Sequence, residues 1–255
     1  MKRTMLAAAA VAMIAVGTGV GLAQKQPQPK SQKEAEAINA IFTAADADAR
    51  IAAADALLKN FADTEFKAVA LQVAAASAQE KNDFEKMVFY AEQTLQADPK
   101  NYASMLMLAT GYAQRTREHD LDKEDKLKMA EKYANSAIET VKTATKPRPD
   151  ITDEQWENAK KDFTAQGMEA LGIAAMTRKN YDEAIKQFKA AIDAGGTPEP
   201  VTKLRLASAY NQTQKYDEAL TLLDGILAQP DLHPQVRSLA GQEKLKAATG
   251  KSQKK

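Results

Sequence analysis

The chain contains no cysteine. That absence excludes disulfide staples, thiolate zinc sites, cysteine nucleophiles and lipid-modified cysteine anchors together. Histidine occurs only twice, as His119 and His233, far apart in the sequence. No HExxH, G-x-S-x-G or glycine-rich phosphate loop is present, so the common zinc-hydrolase, serine-hydrolase and nucleotide-binding signatures are all missing. A net charge of +1 gives no global field to attract nucleic acid or an anionic membrane. Aromatics make up 6% of 255 residues and glycine is sparse, with 11 copies. Alanine supplies much of the apolar content instead, which points to helices that pack closely.

The opening segment has the pattern of an export signal. Lys2 and Arg3 precede an apolar run from Met5 to Val20, and Gly21-Leu22-Ala23 offers small residues for cleavage after Ala23. Cleavage would leave Gln24 first and, with Lys2 and Arg3 gone, bring the net charge to about −1. The alternative is an uncleaved anchor helix, against which Gly17, Gly19 and Gly21 count. Residues 1–23 are therefore expected to be a signal peptide, and localisation periplasmic or extracellular. Residues 24–33 (QKQPQPKSQK) carry nothing to bury and are expected to form a disordered linker. Residues 250–255 form a second polar tail. The GKS at 250–252 is not a phosphate loop, because Leu245 stands where that motif needs glycine.

Between residues 34 and 249 apolar residues recur at spacings of three and four, punctuated by Pro, Gly, Asn or Asp. The segment repeats itself. Tyr181-Asp182-Glu183-Ala184 returns as Tyr216-Asp217-Glu218-Ala219, an offset of 35, and each copy opens an amphipathic helix. In the better copy Leu171-Gly172 is followed by Ala184, Phe188 and Ala191, and then by Pro198. In the other, Leu206-Ala207 and Tyr210 are followed by Ala219, Leu223 and Pro230. Weaker copies run through Leu71, Ala74, Met87, Ala91 and Pro99, and through Met105, Leu108, Tyr112, Ala130, Ala134 and Ala137.

This spacing resembles the tetratricopeptide repeat, in which W-x2-L-G-x2-Y on a first helix precedes A-x3-F on a second, with a period of ~34 residues. The resemblance covers most of residues 34–248. It implies an all-α fold: a right-handed α-solenoid of antiparallel helix pairs, about four to five repeats with two insertions and a C-terminal capping helix. Each pair would bury its apolar stripe against the next. Small residues such as Gly172, Ala184, Ala207 and Ala219 would let axes approach, while Leu171, Phe188, Leu206 and Leu223 fill the space between helices. In the closing helix, Val236, Leu239, Ala240 and Leu245 are expected to face inward.

Two insertions break the period, one of about nine residues and one of about twenty. The first, RTREHDLDKED, places Asp120, Asp122, Glu124 and Glu131 at calcium-loop spacing, but Asp125 stands where the turn needs glycine and Lys126 and Lys128 fall inside. A solvated connector is the plainer reading. The second, KPRPDITDEQW, stops one helix at Pro147 and Pro149 and starts another with a capping box, Thr152 and Gln155. That helix should run to Met176 or Arg178. Trp156, on its first turns, is expected to pack against the neighbouring pair, with a ligand-facing role as the alternative.

The chemistry-bearing residues single out no catalytic set, no metal and no cofactor. Recognition is the positive expectation. In the resembled family, first helices line a concave groove that binds an extended peptide or a helix. Carried over, that implies a protein or peptide partner and, as groove residues, Gln72, Gln79, Thr110, Gln114, Gln166, Glu169, Arg205, Ser208 and Asn211. The reading is an exported, non-catalytic scaffold for protein–protein interaction in the cell envelope. Its alternatives are an enzyme or ligand carrier with a pocket near Trp156, and a self-assembling structural solenoid.

Overall fold

A computed structural model describes residues 27–196 and 199–254. The expected signal peptide and Pro198 lie outside the described residues. Among the described residues there are eleven helices and no strand: α1 (Gln32–Thr43), α2 (Ala47–Asn60), α3 (Lys67–Glu80), α4 (Phe84–Ala97), α5 (Tyr102–Arg115), α6 (Lys123–Thr143), α7 (Asp153–Thr177), α8 (Tyr181–Ala194), α9 (Pro200–Gln212), α10 (Tyr216–Leu227) and α11 (Pro234–Gln253). They form five consecutive pairs and a closing helix, the α-solenoid order that the period implies. No described helix is long and apolar enough to cross a membrane.

The chain divides into two compact units at Met107 and Leu108, inside α5. In the first unit α1 packs on α2, α2 on α3 and α3 on α4. Its core combines Ile38, Ile41, Leu57 and Leu71 with a run of buried alanines. In the second unit each helix from α6 to α11 packs on its successor, and α9 also touches α11. Tyr112 on α5 stacks on Tyr133 of α6, with ring centroids 6.4 Å apart.

Local rules start these helices. Ser31, Asp46, Asp83, Thr152 and Asn180 are N-caps whose side chains accept a backbone N–H of the first turn. Thr152 and Gln155 form the full capping box. The turns within three pairs are built alike. Asn82, Lys179 and Gln214 each take a left-handed φ near 60°. The next residue donates its N–H five residues back, as Asp83 does to Ala78, Asn180 to Ala175 and Lys215 to Tyr210. Those bonds satisfy helix-end carbonyls and reverse the chain tightly.

Both insertions lengthen helices as well as loops. The first becomes a connector over residues 116–122 and then α6, of 21 residues; the second leads into α7, of 25 residues. The calcium-loop pattern is taken up by cations of the chain itself. Lys126 pairs with Asp120 and Asp122, and Arg178 pairs with Glu124 and Glu131. Trp156 is buried, and its indole N–H donates to the Ala144 carbonyl at 3.2 Å.

Phe188, Leu206 and Leu223 fill the interhelical space as expected, but Leu171 is only half-buried. Helices α1 and α11 also extend into the segments read as linker and tail. Gln28 and Lys30 bond to Glu65 and Asp63, α1 begins at Gln32, and α11 runs through Gln253. The largest difference is the register of α11. Ala240 and Ala247 are buried with Val236 packed beside them, whereas Leu239 and Leu245 stay 45% and 69% exposed. Close approach decides this. Tyr216 lies against Gly250 where any Cβ would collide with its ring, and Glu243 is drawn inward by Asn211.

Candidate protein-interaction site

The first helices of successive pairs in the second unit are α7 and α9, with α11 after them. They are joined by side chains one repeat apart. Arg205 on α9 pairs with Glu169 on α7. Asn211 on α9 donates through Nδ2 to the Glu243 carbonyl at 3.0 Å and to its carboxylate at 2.8 Å, on α11. These ties hold α7, α9 and α11 side by side and put Gln166, Glu169, Arg205, Ser208 and Asn211 on adjacent first helices. Gln166 is exposed; Glu169, Arg205, Ser208 and Asn211 are half-buried. Asn211 Oδ1 is buried with no hydrogen-bond partner among the described residues.

Gln114 is exposed on α5 and Thr110 is half-buried, its hydroxyl likewise without a partner among the described residues. In the first unit, Gln79 is exposed on α3. Gln72 is half-buried and accepts from Asn101 Nδ2 at 2.8 Å. Asn101 in turn accepts from the Ser104 N–H at the start of α5, so Gln72 anchors a helix start. Seven of the nine residues thus divide, with Thr110 and Ser208 half-buried between them. Gln79, Gln114 and Gln166 are exposed to solvent, while Gln72, Glu169, Arg205 and Asn211 commit their polar groups to the scaffold.

Pairs at one-period offset also recur at the turns. Lys81 reaches Asp48, Lys215 reaches Asp182 and Lys251 reaches Asp217. Opposite charges about one period apart are a readable signal once the period is known, and they are absent from the expectations above.

A cavity of about 330 Å³ opens in the second unit between α6, α7 and α8. Leu171 and Ala175 form its apolar wall, and Glu131, Asn135, Arg178 and Glu183 line the rest with Asn180 and Gln187. It lies near the C-terminal end of α7, about 22 Å or more along the axis from Trp156. Trp156 has no part in it. Burial works against the charge of Arg178, but hydrogen bonds to Glu131 and Glu124 prevail and hold the guanidinium above its ordinary pKa. A hydrogen bond from Gln187 keeps the Glu183 carboxyl below the usual range. Among the described residues no group of three or more His, Asp or Glu side chains could hold a metal ion.

The fold and these ties define a helical-repeat protein. Residues 175–243 match the family model described as Tetratricopeptide repeat. Among solved structures, the chain is similar to a thermophilic TPR protein of Thermus thermophilus, with a TM-score of 0.54, 16% identity, and coverage of 84% of this chain and 98% of that one. It is also similar to a tetratricopeptide repeat protein from Parabacteroides merdae, with a TM-score of 0.47, 14% identity, and coverage of 88% and 92%. No curated protein matches the sequence. The model match supports the tetratricopeptide repeat for residues 175–243, and the Thermus likeness shows the fold. Such repeats are generally non-catalytic and serve as protein-interaction scaffolds.

Proposed function

We propose that this chain is an exported, non-catalytic scaffold that holds a peptide or a helix of a protein partner along the face of its first helices. The work would be done in the periplasm or outside the cell. The observation that carries the binding reading is the side-by-side fixing of α7, α9 and α11 by Glu169–Arg205 and Asn211–Glu243. A face pre-ordered in this way loses little entropy on binding. Its exposed carboxamides can donate to and accept from the backbone of an extended peptide without strong charge selection.

A photo-crosslinking residue at Gln166 or Ser208, compared with one at Lys189 on the second helix α8, tests the face. One shared set of adducts from Gln166 and Ser208, missing from Lys189, is the expected result. Equal labelling from Lys189 would refute it. Export rests on the sequence pattern of residues 1–23. Mass spectrometry of protein purified from its own cells should find Gln24 at the N-terminus, and an intact Met1 would overturn cleavage.

A further inference from the structure

α11 is built as a first helix, and among the described residues no helix lies where its second helix would be. Pro200 opens α9 and Pro234 opens α11 one period later. Lys251 reaches Asp217 on the preceding second helix as Lys215 reaches Asp182. In that register Gly241 on α11 has the place of Ala207 on α9. Ala207 is wholly buried, in a cluster with Ala219 and Leu223 of α10. At Gly241 a Cβ would meet nothing within 4 Å. The seat that α10 fills on α9 is therefore open on α11.

The open face has a shape of its own. Ser238, Gly241, Leu245, Ala248 and Ser252 follow one another in steps of three and four, all exposed and none charged. That is the spacing of a two-helix seam. A terminal repeat needs a polar outer face to stay soluble alone. Here Leu245 stands 69% exposed in the middle of that face. Leu245 lies one helical turn past Gly241, so the face carries a knob and a hole side by side. Two copies of α11 crossing antiparallel about a two-fold axis would put each Leu245 over the partner's Gly241, and each Ser238 against the partner's Ala248. Antiparallel is also the direction in which a second helix meets its first. Lys244, Lys246 and Lys251 flank the seam and are paired with Asp224, Glu243 and Asp217 of their own chain. Two copies thus meet without bare charges beside the crossing.

We propose that α11 packs against α11 of a second copy of this chain, so that each completes the other's last pair in a two-fold dimer. The contact is isologous, the same patch meeting itself. One helix of 20 residues spans about 30 Å. Two such helices bury no more than about the 1,200 Å² at which stable interfaces begin. The dimer is therefore reversible, with a Kd in the micromolar range. It does not depend on the first-helix face taking a peptide.

Sedimentation equilibrium of the full chain from ~1 to ~500 µM reads the association. The weight-average mass should rise from one chain to two and stop there. Leu245→Lys should weaken the dimer by more than about tenfold, because each change enters a two-fold contact twice. Gly241→Gln should do the same by filling the seat. Its melting temperature at low concentration should not fall, because the site is open and glycine is the poorer helix former. Lost association with intact folding is an effect that misfolding cannot mimic. The absence of native cysteine allows a test of direction. Ser238→Cys and Ala248→Cys proteins, mixed and oxidised, should form a mixed disulfide faster than either forms one with itself. A one-chain mass throughout the range or a mass that grows past two chains would overturn the proposal. So would association unchanged by Leu245→Lys or Gly241→Gln, or no preference for the mixed disulfide.

Discussion

Gly172 sets how closely α7 and α8 can lie. A Cβ there would sit 2.5 Å from Phe188 Cε1, and Phe188 is wholly buried, so the ring has no free direction in which to swing. Alanine would gain up to about 1 kcal/mol in helix propensity. Overpacking costs about 1–3 kcal/mol. Gly172→Ala should therefore lower stability by about 1 kcal/mol in urea unfolding, with the overpacking outweighing the propensity gain. Gly172→Ala combined with Phe188→Leu should lose less than the sum of the two single changes, because the collision is shared. Tyr90 shows the same dependence on one neighbour. Burial, and then its hydrogen bond to Asp55 at 3.0 Å, push the phenol up to about 12. The unfolded phenol releases its proton near 10, so above that pH the unfolded state binds fewer protons than the folded one. Tyr90 thus contributes stability that is complete below about pH 10 and is lost as pH rises through about 12. Ultraviolet titration should show a late tyrosinate step that Tyr90→Phe removes, and survival of that step would show that another tyrosine causes it.

At the level of the helix and its turn, the three left-handed residues Asn82, Lys179 and Gln214 do one job in three places. Asparagine tolerates that conformation, whereas the Cβ of glutamine is strained by it. Gln214→Gly should raise stability by about 0.5–1 kcal/mol, read as a higher melting temperature, after the extra freedom of glycine in the unfolded chain is subtracted. A lower melting temperature would mean that the Gln214 side chain contributes more than its backbone strain costs. What was legible in the sequence at this scale was what is decided locally. The Thr152–Gln155 box depends on residues three apart, and the YDEA helices announce their own phase. The register of α11 is decided by Asn211 and Tyr216, more than thirty residues upstream, so Leu239 and Leu245 looked inward by hydropathy and turned out exposed. The proposed face was legible only in part for the same reason. The family resemblance named Gln79, Gln114 and Gln166, which the structure leaves exposed, but it could not tell that Gln72 holds Asn101 at the entry to α5 or that Arg205 is held by Glu169. The α6–α8 cavity was not legible, because its walls come from three helices spread over Glu131 to Gln187 and meet only once the pairs are stacked.

Taken as a whole, the molecule gains stability from neighbours, since a helix pair that buries its stripe only against the next pair cannot stand alone. The closing helix makes this testable. Ala240 and Ala247 complete a core with Leu204, Leu223, Ile226 and Leu232, and Leu223 and Ile226 are almost inaccessible to solvent. Ending the chain after Leu232 would expose both, each worth roughly 1.5–3 kcal/mol of burial. It would also leave Asn211 without Glu243 and Asp217 without Lys251. In a chain of nearest-neighbour contacts such a loss is felt most by the adjoining pair and fades with distance along the stack. Amide hydrogen exchange of the truncated chain should therefore quicken strongly in α9 and α10 and less in α8. In α3 and α4, whose buried contacts lie in the first unit, it should be unchanged. If exchange quickened equally from α3 to α10, the chain would unfold as one cooperative body and stacking of neighbours would not describe its energetics.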